Sequence, residues 1–249
     1  MEIVVFASGS KGNCTLVKTG ASAILIDAGL SARRLHEHLA SAGLAIDDLA
    51  GILVTHEHTD HISGLEVLLK KHDIPVYCNR GTAREIHGCS AKSLRIFETG
   101  ASFNIADFSV RSFAVPHDAN DPVGFRISHS EGIVGAVTDL GKVTRLVADA
   151  LRGTNALLFE SNYDEEMLAN SPRPWMLKQR ISGNHGHLSN TEAAEALAGL
   201  VTDDLAHLLL YHLSRECNTP DLALRTVGSK VTQKHVHIQC TFQDRVVKV

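Results

Sequence analysis

A short run of metal-binding residue types is the strongest chemical signal in this chain. His56–His61 reads His-Glu-His-Thr-Asp-His, so three imidazoles and two carboxylates fall within six positions. The run comes just after Gly51–Val54, an apolar stretch typical of a buried strand. Imidazole nitrogen favours zinc and its neighbours, and carboxylate oxygen favours harder cations. The pattern therefore predicts a divalent-metal site at a strand end.

Four more residues of this kind occupy similar positions further along the chain. His117, Asp139 and His212 each follow an apolar, strand-like run, and His187 precedes an Ala/Leu-rich helical segment. One histidine at a strand end is a weak signal, but several at the same kind of position reinforce one another. Because neighbouring strand ends meet at the edge of a sheet, we expect these side chains to converge on the His56–His61 run.

Strand-like and helix-like segments alternate along the whole chain without a linker that divides it. The strand-like runs are Ile3–Phe6, Cys14–Lys18, Ala23–Ile26, Gly51–Val54, Pro75–Cys78, Phe108–Val115, Gly124–Ser128, Gly132–Val137, Ala156–Phe159, Leu208–Tyr211 and Val236–Phe242. Helical patterns follow Ser31 and His61, cover Val143–Leu151, run from Asn190 to about Val201, and begin again at Thr219. We predict a single α/β domain over residues 1–249, folded as a four-layer αββα sandwich with the site at one edge of the two sheets.

Composition excludes some classes of protein. The 249 residues carry a net charge of −4, so no overall basic field favours nucleic acid, and a polyanion would need a local cationic patch or the metal. No apolar run reaches the roughly 18 residues of a membrane span, and Met1–Phe6 resembles a strand more than a signal peptide. The cysteines form no CxxC pair, which predicts reduced thiols and a cytoplasmic protein. They are Cys14, Cys78, Cys89, Cys217 and Cys240.

The glycine-rich stretch Ser8–Asn13 is a candidate substrate contact, not a nucleotide site. It lacks the spacing of a P-loop and leads into a strand, so we expect no nucleotide cofactor. Ser10 and the backbone beside it could touch substrate, and a plain hairpin connection is the alternative.

These residues together resemble the metallo-β-lactamase superfamily over essentially the whole chain. The HxHxDH signature matches at His56, His58, Asp60 and His61, and the later ligand motifs match at His117, Asp139 and His212. The resemblance implies two divalent ions, zinc or manganese. It assigns His56, His58 and His117 to one ion, Asp60, His61 and His212 to the other, and Asp139 to both.

Four shorter stretches resemble a narrower group, the YycJ/WalJ family of small bacterial proteins regarded as 5′-to-3′ DNA exonucleases. They are Ala7–Cys14, Glu160–Asn162, Gly186–Asn190 and His212–Asn218. The chain has no inserted clamp domain and no long arm for tRNA, so we expect a compact nuclease. The resemblance implies a phosphodiesterase acting on DNA through a metal-bridged hydroxide. The alternative is a metal-dependent hydrolase of a small ester, thioester or cyclic phosphodiester.

The same resemblance implies a proton-delivery pair, in which His187 would act as general acid and Glu160 would hold His187 charged and oriented. Asp60, beside the metals, could also orient the attacking water. His185 is the rival for the role of His187, which could otherwise be a helix-capping histidine.

The stretch Ser171–Arg180 is a candidate phosphate-binding segment because it carries three cations and no acid. Its candidate contacts are Arg173, Lys178, Arg180 and, as a stacking face for a base, Trp175. The alternative is a surface loop that its tryptophan anchors to the core.

Overall fold

Two seven-stranded sheets form the centre of the computed structural model, which describes residues 1–87 and 92–249. The first sheet contains β1 (Glu2–Ala7), β2 (Cys14–Lys18), β3 (Ala23–Ile26), β4 (Leu49–Leu53), β5 (Val76–Cys78), β6 (Leu94–Ile96) and β14 (Val247–Lys248). Their spatial order is β14-β1-β2-β3-β4-β5-β6.

The second sheet is built from the strands of the later part of the chain. It contains β7 (Ser102–Ile105), β8 (Phe108–Ala114), β9 (Val123–His129), β10 (Gly132–Val137), β11 (Ala156–Glu160), β12 (His207–Tyr211) and β13 (His237–Cys240). Their spatial order is β13-β12-β11-β10-β9-β8-β7. Strands β10 to β13 run parallel to one another.

The helices connect the strands and cover the two outer faces. They are α1 (Ala32–Ser41), α2 (Thr59–Ile62), α3 (Leu65–Leu69), α4 (Arg80–Ala83), α5 (Arg145–Leu151), α6 (Glu165–Asn170), α7 (Trp175–Ile181), α8 (Asn190–Leu200) and α9 (Pro220–Gly228). Side-chain caps start many of them, as predicted at Ser31, which accepts from the Arg34 amide. None of the helices in the described ranges combines the length and apolar character needed to cross a membrane.

Three apolar clusters separate four layers. One cluster lies between the sheets and includes the fully buried rings of Phe108 and Phe125. A second packs α1 and α3 against the first sheet through Leu35 and Leu65. The third packs α5, α8 and α9 against the second sheet and includes Leu197. Burial of these apolar surfaces is the main force that holds the layers together. The arrangement confirms the predicted αββα sandwich.

Several strands end at the same edge of the sandwich, and this sets the position of the site. In the first sheet β3 and β4 are parallel, with Ile26 beside Leu53. In the second sheet Val137 pairs with Phe159, and Phe159 pairs with Leu210, so β10, β11 and β12 end together. Strand β8 runs the same way, because β8 and β10 are both antiparallel to β9.

The main differences from the sequence-based expectation lie at sheet edges and in one helix. The strands that were not predicted are β6, β7 and β14, and all three are edge strands. Residues Trp175–Ile181 form helix α7, so the alternative of a surface loop is wrong for these residues. Four cysteines are buried thiols, while Cys89 lies outside the described residues. The four are Cys14, Cys78, Cys217 and Cys240.

Candidate metal centre

The predicted ligands lie together at the shared strand edge. Four overlapping sets of side chains place nitrogen and oxygen atoms of ligand type within 4.8 Å of one another. The sets are His56, His58 and His117; Asp60, His61 and His212; His56, His61 and Asp139; and Asp139, Glu160, His187 and His212. The first two sets have the composition expected for two separate ions. The structure thus brings together groups from both sheets that are suited to binding metal ions.

Asp139 occupies the middle of this arrangement. Its Oδ2 lies 3.2 Å from His61 Nε2, and its Oδ1 lies 3.7 Å from His212 Nε2 and 3.8 Å from His117 Nε2. Asp60 faces only one side, with Oδ2 at 3.6 Å from the Nε2 atoms of both His61 and His212. A carboxylate with neighbours on both sides is in the right place to contact two cations.

Neighbouring groups hold the outer nitrogens of the histidine rings. His61 Nδ1 lies 2.8 Å from an Asp27 carboxylate oxygen, and His117 Nδ1 lies 3.1 Å from the Gly186 carbonyl. Thr55 Oγ1 lies 3.0 Å from His56 Nδ1, and the Asn162 amide nitrogen lies 3.1 Å from His212 Nδ1. Such contacts fix the ring orientation and direct Nε2 into the site.

Two buried atoms show that the ligand set fits a cation. Nε2 of His56 and Nε2 of His212 are buried and have no hydrogen-bond partner. Burying a polar atom without a hydrogen-bond partner destabilises the folded protein by about 1–3 kcal/mol. Cations bound to these two nitrogens would remove that cost. Burial and the nearby His61 hold the pKa of His56 well below its usual value, which keeps this imidazole in the neutral form that binds metals. Nitrogen and carboxylate donors together suit zinc or manganese.

The carboxylates make the part of the site around His212 and Asp139 favourable for positive charge. Burial lowers the pKa of His212, but Asp139 and its neighbours outweigh burial and raise it to about 10. Against the effect of burial, His212 and His61 hold the pKa of Asp139 well below its usual range. Negative charge that draws a proton onto His212 would equally favour a divalent cation at the same place.

Glu160 and His187 form a pair beside the candidate ligands. Glu160 Oε1 lies 2.7 Å from His187 Nδ1, while Glu160 Oε2 accepts the backbone amide of Leu140. Burial lowers the pKa of His187, but the Glu160 carboxylate more than compensates and raises it. The His187 side chain remains 21% exposed, so a charged imidazole can reach a bound substrate. The rival histidine, His185, is exposed.

An open cleft of about 220 Å³ leads to the candidate ligands. Arg173 and Arg180 line it together with Ser10. The Arg180 Nε donates to Asp118, which also lies 3.3 Å from His117 Nε2. Three of the five predicted substrate contacts therefore lie in the cleft.

The other two predicted contacts, Trp175 and Lys178, are not among the described residues that line the cleft. The Lys178 ammonium donates to the Ala169 carbonyl at 2.6 Å. Trp175 is 69% exposed at the start of α7, so it does not anchor this segment to the core. Both stay predictions, for a substrate that extends beyond the cleft.

The Ser8–Asn13 stretch connects β1 to β2 and lies against the site. Ser8 Oγ accepts the backbone amide of His212 at 2.7 Å. The buried Asn13 places its amide nitrogen 3.1 Å from His61 Nε2 and 3.4 Å from Asp60 Oδ2. The hairpin connection and the position beside the site, treated above as alternatives, are therefore both present.

Asp27 is the main residue of the site that sequence reasoning missed. It follows β3 directly, which is the same strand-end position that singled out Asp139 and His212. All three have a left-handed backbone, with φ of 61°, 54° and 58° respectively. Non-glycine residues adopt this conformation rarely, and it is concentrated at functional sites. The strand-end rule would have found Asp27 if it had been applied to carboxylates that lie outside a histidine motif.

Comparison with known proteins identifies the family of this chain. A model of the beta-lactamase superfamily domain matches residues 22–212. The chain therefore belongs to this superfamily and is a hydrolase of the metallo-β-lactamase fold. Within it, the exodeoxyribonuclease YycJ of Bacillus anthracis is 41% identical over 238 residues, covering 94% of this chain and 90% of the relative.

Two further matches extend over nearly the full length. The exodeoxyribonuclease WalJ of Streptococcus pneumoniae is 34% identical over 245 residues, covering 96% of this chain and 91% of the relative. The crystal structure of the metallo-beta-lactamase fold protein YhfI from Bacillus subtilis aligns with a TM-score of 0.76 and 15% identity, covering 100% of both chains. The relatives support the YycJ/WalJ resemblance, and the structural match supports the fold.

Proposed function

We propose that this chain is a DNA exonuclease that digests from the 5′ end with the help of two divalent metal ions. The observation that carries the proposal is the Glu160–His187 pair, which lies directly beside two candidate metal-ligand sets. Full-length relatives named as exodeoxyribonucleases support a nucleic-acid substrate, and DNA in particular. The contributing strands come from both sheets, which supports a single functional domain over residues 1–249. A cytoplasmic location stays a prediction.

The ions are assigned by the composition of the ligand sets. His56, His58 and His117 would hold one ion, and Asp60, His61 and His212 would hold the other. Asp139, which has neighbours on both sides, would contact both ions. Bound there, two zinc or manganese ions would lower the pKa of water and offset negative charge on the phosphodiester. The remaining tasks belong to side chains.

Asp60 acts on the attacking water, and His187 acts on the leaving group. The Asp60 side chain is 22% exposed towards the cleft, where it can accept a hydrogen bond from the attacking water and orient it. His187 can give its Nε2 proton to the departing alkoxide oxygen, since Glu160 holds its Nδ1 side. The buried Glu160 carboxylate keeps the imidazole protonated until the P–O bond breaks.

Cations near the cleft would hold the DNA backbone. Arg173 and Arg180 present guanidinium groups to the cleft, and Ser10 offers a hydroxyl. Guanidinium binds phosphate with two parallel hydrogen bonds. Its positive charge also offsets the repulsion between a phosphodiester and the carboxylates of the site. Trp175 and Lys178 on the outer side of α7 would meet the strand further from the cleavage point.

Digestion of end-labelled DNA duplexes with added manganese or zinc tests the proposal. A 5′ label should appear at once in mononucleotides, whereas a 3′ label should pass through a series of progressively shorter strands. Asp139→Ala protein, prepared in the same way, should do neither. Release of 3′-labelled mononucleotides first, or unselective nicking, would contradict the proposed polarity.

The same preparation separates the alternative substrate classes. Bis(p-nitrophenyl) phosphate and the thioester S-lactoylglutathione are offered in parallel with the same metals. We expect the phosphodiester to be hydrolysed, because Arg173 and Arg180 line the cleft and guanidinium groups suit a phosphate. Turnover of the thioester alone would contradict a phosphodiesterase.

A further inference from the structure

A second cavity lies beyond His187 and adjoins the cleft. We call it the end cavity, and its volume is about 110 Å³. It shares Ser10, Arg173, Ile181, His187 and His212 with the cleft, so these residues form the boundary between the two spaces. Its inner wall includes Ser214. A group bound in the end cavity would therefore lie next to the imidazole that delivers the proton.

The lining of the end cavity favours an anion. The cleft is lined by three carboxylates, Asp60, Asp118 and Asp139, whereas the described residues that line the end cavity include none. Arg173 contributes the guanidinium, and Ser214 contributes a hydroxyl whose oxygen accepts the Cys217 amide at 3.1 Å.

Arg173, which lines the end cavity, has an unused hydrogen-bond donor. Its terminal nitrogen pairs with Glu216 at 3.0 Å, and its side chain is 26% exposed. Its Nε, however, is buried and has no hydrogen-bond partner. An unpaired buried donor on a charged group is unfavourable, so an anion that bound beside Arg173 would relieve this cost. Phosphate is the anion whose oxygens match a guanidinium edge.

The chemistry of the proposed reaction identifies which phosphate this is. In digestion from the 5′ end, water oxygen forms a bond to phosphorus and the bond from phosphorus to the 3′ oxygen of the terminal nucleotide breaks. The His187 proton goes to that 3′ oxygen. The proton of the attacking water goes to a nearby proton acceptor of the protein or to solvent. The released nucleotide must therefore lie on the His187 side, where the end cavity is.

We propose that the end cavity binds the 5′-phosphate of the terminal nucleotide, with Arg173 as its main contact, and so selects 5′-phosphorylated ends. The proposal rests on the proposed exonuclease function. It explains an end-dependent reaction, because only the first nucleotide of a strand carries a phosphate with no further chain attached.

The test compares two duplexes of identical sequence, one with a 5′-phosphate and one with a 5′-hydroxyl. The metal-loaded wild-type enzyme should show a kcat/KM ratio between them of about 10 to 100, the value for one hydrogen-bonded charged contact. In Arg173→Gln the ratio should fall close to one. Arg145→Gln is the matched control, because Arg145 is an exposed arginine that lines neither space, and it should keep the wild-type ratio.

The outcomes separate the two proposals. The 5′-phosphate proposal would be overturned if the wild-type enzyme digested from the 5′ end with a ratio near one, or if Arg173→Gln kept the wild-type ratio. Either result would leave the exonuclease proposal standing. A wild-type enzyme with no 5′-directed digestion would overturn the exonuclease proposal and the end cavity with it. Should Arg173→Gln fail to fold, Arg173→Lys takes its place, because lysine has no Nε donor and should also lower the ratio.

Discussion

Glu160 and His187 are joined by a 2.7 Å contact that links the fully buried interior to the open cleft. Glu160 is 0% exposed and comes from the end of β11, whereas the His187 side chain is 21% exposed just before α8. A carboxylate in this position can hold a charged imidazole but cannot itself reach a substrate. The two residues therefore have distinct effects that variants can separate.

Replacing His187 with alanine should slow DNA cleavage while metal content stays normal. General acid catalysis contributes about 10²- to 10⁴-fold, and kcat should fall by that order. A p-nitrophenyl phosphodiester has a leaving group that needs no proton, so its hydrolysis should fall much less. His185→Ala is the control, since His185 is exposed nearby. Equal losses on both substrates, or full activity on DNA, would argue against a general acid.

Replacing Glu160 with glutamine should change the pH profile. Glu160 raises the pKa of His187, so the acid form is present below that raised pKa and is lost as pH rises through it. Without the carboxylate the pKa falls, and the alkaline limb of kcat should move to lower pH. The measurement is kcat against pH, with the exposed Glu166→Gln as the control. An unchanged alkaline limb would be inconsistent with the assigned role.

Replacing Asp27 with asparagine should weaken metal binding without removing any ligand. Asp27 lies 2.8 Å from His61 Nδ1, and losing such an outer contact typically lowers metal affinity by about 10- to 100-fold. Asp47→Asn is a matched control, because Asp47 lies at the same 2.8 Å from the ring of His72 near the surface. Titration with zinc or manganese measures the affinities. Equal affinities in the two variants would contradict a supporting role for Asp27.

Removing the metal should lower thermal stability. Ions that bind only the folded state add about 4 kcal/mol when present at 1,000 times their Kd. Without them, His56 Nε2 and His212 Nε2 remain buried and unpaired. We therefore expect a chelator to lower Tm and added zinc or manganese to restore it. A Tm that does not respond to either treatment would weigh against the site.

The sequence predicted the meeting of distant residues because of a general property of sheets. Parallel strands end at a common edge, so His117, Asp139 and His212 were expected beside the His56–His61 run, and the structure places them there. Their role as ligands stays a prediction. The sandwich itself followed from long buried strands such as β10 and β12, whose apolar runs are clear in sequence.

Other features could not be predicted because their determinants are not local. Strands β6, β7 and β14 are short and partly exposed, and they exist by pairing with a neighbouring strand. A surface loop was one alternative for Ser171–Arg180, yet α7 begins within it, and Pro174 lies just before α7, where proline does not break a helix. The end cavity is lined by Arg173 and Ser214, which lie far apart in the chain.

The most direct test of the central claim counts the metal ions in the folded protein. We predict about two zinc or manganese ions per chain, seen as two anomalous-diffraction peaks among the seven candidate side chains. In Asp139→Ala the metal content should fall sharply, while Asp107→Ala should keep it, because Asp107 pairs with His129 away from the site. Wild-type protein that holds only traces of metal after exposure to both ions would contradict the account.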